Sequence, residues 1–369
     1  MRTGEKAKIK IDSSLCAGCR ICEMVCDLTH NSETGNLNPR RAHIKITGQF
    51  PIPGGFKIKF SECNHCGECA RWCPQGAISL KDNPADLAES VSSAPALSGS
   101  PVSYPNRRLT MSGYAGRILF LDLSKKAKKK WISKRLTKSI IEKYLGGRGL
   151  AAYLLYKHNP KGVDPLDPKN NIVIASGPLS GTFVPAGGKI TFASKSPLTG
   201  GYGDSNMGGH LASELKYAGY DAIVIEGKAG KPSMIVIDDG AIEIRDASKY
   251  WSKGAIDAEK MLKDDLGEDF QIAVIGPAGE NLVRFACISH DFGRQAGRAG
   301  MGAVLGAKNI KAICVRGSKG VQIHDIGAMV EKGKAMFREC AENPVTKIWQ
   351  RCGTPGVTGW VNEIGAFPS

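Results

Sequence analysis

Cys16-x-x-Cys19-x-x-Cys22-x-x-x-Cys26 and Cys63-x-x-Cys66-x-x-Cys69-x-x-x-Cys73, the second followed by Pro74, are two copies of one pattern that holds eight of the chain's twelve cysteines. Three thiolates at i, i+3 and i+6 can wrap one corner of an iron–sulfur cube, while the fourth cysteine projects away and ligates the other cube. The spacing therefore assigns Cys16, Cys19, Cys22 and Cys73 to one 4Fe–4S cluster, and Cys63, Cys66, Cys69 and Cys26 to a second. A zinc ribbon uses C-x-x-C pairs without the third cysteine, and a disulfide framework does not space cysteines this way. Spacing, duplication and the trailing proline together mark a chain that carries electrons.

Working outward, residues 1–80 read as a ferredoxin-like domain with two 4Fe–4S clusters, its cysteine loops flanked by short alternating segments at 7–11, 44–46, 56–60 and 77–80. The insert between the motifs is longer than a minimal ferredoxin needs. Its NPRR stretch at 38–41 resembles the small iron–sulfur subunits that serve larger redox enzymes. Residues 81–112 are small, polar and proline-dotted, as in SVSSAPALSGSPVSYP at 90–105, and read as a flexible linker whose r.m.s. span would be roughly 30 Å.

Beyond the linker the pattern is mixed α and β. Apolar runs predict strands at 118–123, 171–175, 189–193, 222–226, 234–238, 242–245, 271–275, 284–288 and 312–316. Helical periodicity appears at 138–145, 149–157, 210–217, 255–266 and 326–342. An internal repeat is visible: LKYAGYDAIVIEG at 215–227 aligns without gaps on LGAKNIKAICVRG at 305–317, VIASGP at 173–178 mirrors AVIGP at 273–277, and Phe192-Ala193 mirrors Phe285-Ala286. Each half carries a glycine-rich loop, GGYGDSNMGG at 200–209 and GRQAGRAGMG at 293–302. Twin loops suit a ligand that is itself two-fold.

Glycines let the backbone approach a ligand closely, and Arg294 and Arg298, four apart, are spaced to fork onto phosphate oxygens. Neither loop ends in Gly-Lys-Ser/Thr, so neither is a Walker loop, and the Rossmann fingerprint is missing. Without further context such loops are equally well turns with glycine at positive φ.

Residues 114–369 resemble the N-terminal part of tungsten-containing aldehyde ferredoxin oxidoreductases. The matching stretches are YLGGRGL at 144–150, ASGPLSG at 175–181, SPLTG at 196–200, ELKYAGYDA at 214–222, IGPAGENL at 275–282 and AGRAGMGAV at 296–304. The resemblance implies an α+β fold: the ferredoxin-like domain, then an internally duplicated β-rich α+β tungstopterin-binding domain at 113–320, and the start of a truncated helical domain at 321–369. It implies two pterin molecules holding tungsten (or molybdenum) through dithiolenes, with Mg²⁺ bridging their phosphates. The family's pterin-contacting positions fall on Lys189, Asn206, Gly208, Arg294, Gln295, Gly297 and Arg298. Backbone carbonyls at Asn206 and Gln295, one from each half, would ligate Mg²⁺. Where the family usually has arginine this chain has Lys189, a point charge in place of a planar fork. The family's proximal-cluster cysteines, catalytic acid and histidine lie further along than residue 369, so no catalytic residue is assigned.

The activity implied is aldehyde oxidation with electrons leaving through the clusters to a ferredoxin or another redox protein. The alternatives are a non-catalytic electron-transfer and cofactor-binding chain or gene fragment that works with a second chain carrying the missing part, and a relative that reduces an aromatic acyl thioester. A homodimer is a further assembly considered. The net charge of +15 overstates the basicity of a protein holding anionic clusters and phosphates. The basic run at 125–130 reads as a solvated hairpin turn, and no interleaved aromatics or known module point to nucleic acid. No apolar run reaches the ~18–20 residues of a membrane span, no signal-peptide core follows the start, and reduced cysteines place the chain in the cytoplasm. His65 reads as a solvent-facing spacer, His290-Asp291 as a pair beside the second loop, and His210 as a helix cap; no paired-carboxylate or Ser/His/Asp set supports hydrolysis. Cys287, Cys314, Cys340 and Cys352 read as core thiols.

Overall fold

The computed structural model describes residues 9–16, 20–31, 35–48, 56–73, 77–80, 111–125 and 130–367. Cys19, Pro74, the linker up to residue 110 and positions 126–129 of the basic run lie outside the described residues.

The first unit runs β1 (Ile9–Ile11), α1 (Ile21–Asn31), β2 (Asn36–Leu37), β3 (Ile44–Gly48), β4 (Phe56–Phe60), α2 (Glu68–Arg71) and β5 (Ile78–Leu80). β1 pairs antiparallel with β5, which joins the two ends of the unit, and β3 pairs antiparallel with β4 between the two cysteine motifs. Cys22 and Cys26 sit four apart on α1, on its buried face.

The next strands and helices form two half-domains. The first comprises β6 (Arg117–Asp122), β7 (Trp131–Arg135), α3 (Lys138–Tyr144), α4 (Gly147–His158), β8 (Ile172–Ser176), β9 (Ile190–Lys195), β10 (Tyr202–Met207), α5 (Leu211–Tyr217) and β11 (Ala222–Glu226). The second comprises β12 (Ser233–Asp238), β13 (Ala241–Asp246), α6 (Ala255–Leu266), β14 (Gln271–Val274), α7 (Pro277–Glu280), β15 (Ile288–His290), β16 (Arg294–Ala296), α8 (Met301–Ala307) and β17 (Ile310–Arg316). Each half builds a six-stranded sheet, in the orders β10-β9-β8-β11-β6-β7 and β16-β15-β14-β17-β12-β13. The parallel pairs are β11 with β6 and β17 with β12. The two sheets are therefore topological copies, as the repeat predicts.

Register makes the equivalence residue-specific. Ala222 pairs with Ala175 and Ala312 with Val274, which upholds both the 215–227/305–317 and the 173–178/273–277 alignments. The Phe192/Phe285 match fails. Thr191 faces Asn206 and Ser289 faces Gln295, so the counterpart of Phe192 is His290, and the strand expected at 284–288 starts only at Ile288. The two glycine loops are not loops throughout. Each contains an edge strand, β10 and β16, and these strands touch, with Ser205 Oγ accepting from Arg298 N at 3.0 Å and Ser196 Oγ donating to Ala299 O at 2.8 Å.

Strand alternation explains the layers. Leu119, Ile223 and Ile174 of one sheet and Ile235, Ile313 and Ile237 of the other face a common core with Leu215 of α5 and Leu305 of α8. Their sequence neighbours Ile118, Val224 and Val173 pack outward on α3 and α4, and Val236, Cys314 and Ile272 pack on α6. α8 crosses α7 at backbone contact: a Cβ on Gly306 would lie 1.9 Å from the Gly279 carbonyl oxygen. Gly306→Ala should therefore lose about 3 kcal/mol or more of stability, since the overlap is with backbone that cannot turn aside. Gly230, with open space around its missing Cβ, should accept alanine without loss. Unfolding midpoints in urea compare the two.

β18 (Val321–Gln322) then pairs antiparallel with β2 of the first unit, Val321 with Leu37 and Gln322 with Asn36, and leads into α9 (Ile326–Glu342), α10 (Pro344–Cys352) and α11 (Thr358–Glu363). A separate hydrophobic cluster joins three parts of the chain: Ile21, Val25, Leu28 and Leu37 of the cysteine unit, Phe183 and Tyr217 of the first half-domain, and Val330 and Phe337 of α9. Trp72, next to Cys73, stacks edge-on to Phe183 at 5.8 Å. The cysteine unit is thus packed onto the sheets.

Candidate functional site

Cys26, Cys63, Cys66 and Cys69 are electrostatic neighbours of one another, and these are the four that spacing assigns to one cluster. Burial, reinforced by Cys66, Cys63 and Cys26, pushes the Cys69 thiol up to about 12. Cys22, Cys26 and Cys69 are buried in the unit's hydrophobic core with Ile44, Ile46 and Ile78, and Cys16 and Cys73 pack against that core. None of the described cysteines is in a disulfide. Among the described residues no three His, Cys, Asp or Glu side chains close to the spacing of a single metal ion. Soft thiols from both motifs fit an iron–sulfur cluster by donor chemistry.

Backbone curls around these sulfurs. Glu62, His65 and Gly67 all have left-handed φ, of 49°, 59° and 80°, and His65 N donates to Cys63 Sγ at 3.3 Å while its ring stays exposed as expected. His43 N donates to Cys26 Sγ at 3.2 Å. His30 Nε2 lies 3.5 Å from Cys66 Sγ, a contact that no motif announces. Hydrogen bonds to cluster sulfurs are a lever on reduction potential.

A cavity of about 710 Å³ lies between the cysteine unit and the twin-loop region. Lys189, Gly208 and Arg294 line it from the loop side, and Arg20, Arg40 and Lys45 from the cysteine unit. The remaining expected positions, Asn206, Gln295, Gly297 and Arg298, lie on exposed backbone of β10, β16 and the turn after β16, beside the cavity instead of in its wall. Asn206 Oδ1 accepts from Thr191 Oγ1 at 2.7 Å, and Gln295 Nε2 donates to Ser289 Oγ at 3.0 Å, so each half holds its amide through the same cross-strand hydroxyl. The residues fit an anionic ligand: a Cβ on Gly208 would lie 3.6 Å from Arg294 Nη1 and 3.8 Å from Lys189 Nζ, so a side chain there would fill the space where two cations converge.

His290 fixes the Gly208–His210 corner. Its Nε2 accepts from His210 N at 3.1 Å and Leu211 N at 3.3 Å, so the proton sits on Nδ1, which donates to Ile272 O at 2.9 Å. Burial holds this ring down to about 4, neutral at physiological pH, as an acceptor of two amides must be. The helix start expected to be capped by His210 is instead capped from the other half-domain; His210 makes no capping bond. A Cβ on Gly209 would fall 2.6 Å from the His290 ring. Beside it, Asp291 and Phe292 are both left-handed, and their amides donate to the buried carboxylate of Glu259 at 2.7 and 3.0 Å. Of the remaining thiols Cys314 is a core residue, whereas Cys287, Cys340 and Cys352 are exposed, because the first lies before β15 and the others on the open faces of α9 and α10.

The cysteine unit is anchored beside this cavity by the 38–41 stretch. Arg40 forms an ion pair with buried Glu214, meets Asp269 at 2.9 Å and donates from Nε to Gly317 O at 2.5 Å. Asn38 Nδ2 donates to Ser318 O. Arg41 forks onto Asp27 at 2.8 and 3.0 Å, and Asp27 also accepts from Asn38 N at 2.7 Å, so the stretch is rigid before it docks.

Paired sheets with twin loops, packed on a two-motif cysteine unit, define an iron–sulfur protein of the oxidoreductase class. The N-terminal domain model of aldehyde ferredoxin oxidoreductases matches residues 118–317, more than half of the chain, and a 4Fe-4S dicluster domain model matches 15–78. The chain belongs to the aldehyde ferredoxin oxidoreductase family. It is 43% identical over 261 residues to a tungsten-containing aldehyde ferredoxin oxidoreductase of Pyrococcus horikoshii, covering 70% of this chain and 42% of that protein. It is 48% identical over 231 residues to the enzyme of that name from Pyrococcus furiosus, covering 62% and 38%. The active site complex BamBC of benzoyl coenzyme A reductase, solved with 1,5-dienoyl-CoA, is similar over 56% of this chain and 31% of its own, at 39% identity and a TM-score of 0.54. The chain thus spans less than half the length of the relatives it matches. No helix among the described residues is long and apolar enough to cross a membrane.

Proposed function

We propose that this chain is the electron-carrying and cofactor-cradling part of a tungstopterin oxidoreductase that oxidises an aldehyde and passes the electrons to a ferredoxin-type acceptor. The observation that carries the reading is the shared cavity: Arg20, between two cysteines of the first motif, lines it together with Lys189 and with Arg294 of the second loop. A cofactor bound there would touch a residue of the first cysteine motif itself, which suits direct electron transfer.

When bound, the tungsten–pterin group supplies the two-electron chemistry at the aldehyde carbon. The chain's own residues do the rest. Lys189, Gly208 and Arg294 would hold the pterin cofactor where it faces the cysteine unit, and Asn206, Gln295, Gly297 and Arg298 would hold it, with Mg²⁺, along the edge strands. Hard Mg²⁺ favours such backbone oxygens. Cys16, Cys19, Cys22 and Cys73 hold one 4Fe–4S cluster, and Cys63, Cys66, Cys69 and Cys26 hold the other. The boundaries 1–80, 81–112, 113–320 and 321–369 divide wire, tether, cradle and the first helices of a further domain. Val345, Trp349, Trp360 and Ile364 are exposed on and after α10, an apolar face that suits the remaining length of the enzyme, whether on the same polypeptide or a second one. A cytoplasmic, reducing setting keeps the thiols available. The likeness to the BamBC complex favours one further reading, reduction of an aromatic acyl thioester on the same cradle.

Anaerobic purification with metal and pterin analysis tests the proposal. Two 4Fe–4S clusters predict about eight irons per chain, with tungsten and pterin present. Stoichiometric zinc in a colourless protein would refute it.

A further inference from the structure

The cavity's charge is more than the loops alone provide. Among the described residues five cations line it: Lys189 just before β9, Arg294 of the second loop, and Arg20, Arg40 and Lys45 from the cysteine unit. Three carboxylates of the described residues, Glu23, Glu214 and Asp269, share the wall. Arg40 is occupied by Glu214 and Asp269 and belongs to the docking contact. Arg20 is held by long contacts only: its Nε lies 3.8 Å from Glu23, whose other oxygen accepts from Ile46 N at 2.6 Å, and its Nη2 donates to Ile46 O at 3.4 Å. Lys45 Nζ gives one hydrogen bond, to Pro39 O at 2.8 Å, out of the three it can donate. Across the cavity Arg294 is shared with Asp291 at 3.3 Å, and its Nη1 turns with Lys189 Nζ over Gly208.

Positive charge in excess inside a half-enclosed space is costly unless an anion joins it. A phosphate group meets that need, because it brings two charges and several acceptor oxygens to donors on both walls. We infer that the cysteine unit supplies half of a phosphate clasp: Arg20 and Lys45 close on a phosphoryl group whose other side is held by Lys189 and Arg294. The inference rests on the tungstopterin reading for the identity of the ligand, not for the existence of the clasp. Its consequence is mutual retention. A ligand bridging both units stabilises their docking, and a docked unit slows the ligand's escape.

The test uses the full chain, purified anaerobically, with Lys45→Met and the double variant Arg20→Met/Lys45→Met. Iron content and circular dichroism verify that clusters and fold survive. Pterin and tungsten per chain are then measured, and inorganic pyrophosphate is titrated calorimetrically into cofactor-free protein. The double variant should keep about eight irons yet hold about ten-fold less pterin and tungsten and bind pyrophosphate about ten-fold more weakly, with Lys45→Met in between. Wild-type protein that lacks pterin but binds pyrophosphate through Arg20 and Lys45 would sink the tungstopterin reading and leave the clasp, its phosphate then belonging to an exchanging ligand. Equal pterin content, or equal pyrophosphate affinity, in wild type and double variant overturns the clasp.

Discussion

Cys69→Ser is expected to halve the iron of the purified protein, from about eight to about four atoms per chain, with acid-labile sulfide falling in step. Cys69 is 6% exposed and stands among Cys66, Cys63 and Cys26. A thiol pushed up to about 12 stays protonated at neutral pH, so the metal must drive its deprotonation. The sharper expectation concerns Cys26. It lies in the first motif, but its sulfur interacts with the second, so Cys26→Ser should remove the same cluster as Cys69→Ser and leave the electron paramagnetic resonance signal that Cys22→Ser abolishes. Should Cys26→Ser and Cys22→Ser instead lose one and the same signal, each motif would be self-contained and the crossed assignment wrong. Cys314→Ser is the control: equally buried, on β17 in an apolar core, it should cost stability and no iron.

Much of this was legible in the sequence because the constraints are local. Cluster ligation fixes cysteine spacing over ten residues, and a duplicated sheet leaves matching apolar runs, so Ala222 and Ala312 could be aligned before their register was known. The edge strands β10 and β16 were not legible. Their glycine and polar content reads as loop, and they become strands only because each has one partner in its sheet and a neighbour across the half-domain boundary. Phe285 misled for a related reason: the aromatic match to Phe192 is accidental, and the true counterpart, His290, differs in chemistry because it reaches across to cap α5. The docking of the cysteine unit was invisible. Arg40 meets Glu214 from 174 residues away, and no local pattern encodes that distance. The NPRR stretch stood out as part of an insert that a minimal ferredoxin does not need and by its resemblance to the small iron–sulfur subunits of larger redox enzymes, neither of which names its partners.

The same stretch carries the second large expectation. Glu214→Ala should cost about 3–5 kcal/mol, the range seen when one partner of a buried ion pair is removed. Glu214 is 4% exposed, and its Oε1 accepts from Arg40 and, at 2.8 Å, from Gly317 N. Truncation therefore leaves the Gly317 amide without its acceptor and takes from Arg40 its buried carboxylate, leaving it Asp269 and the Gly317 carbonyl, and Gly317 is held close, since a Cβ there would lie 1.9 Å from Ala218 N. Glu214→Gln keeps an acceptor for the amide and should lose less. Arg40→Met/Glu214→Met removes both charges, so it should be less damaging than the two single changes added together, the mark of a coupled pair. Because Arg40 belongs to the cysteine unit and Glu214 to the sheets, the loss has a spatial signature. In a urea titration the visible absorbance of the clusters should report release of the first unit before the sheets lose their circular dichroism. If Glu214→Ala unfolds in one transition within about 1 kcal/mol of wild type, the ion pair is not what holds the wire to the cradle, and the apolar cluster around Leu37, Phe183 and Trp72, with the β2–β18 pairing, does so instead.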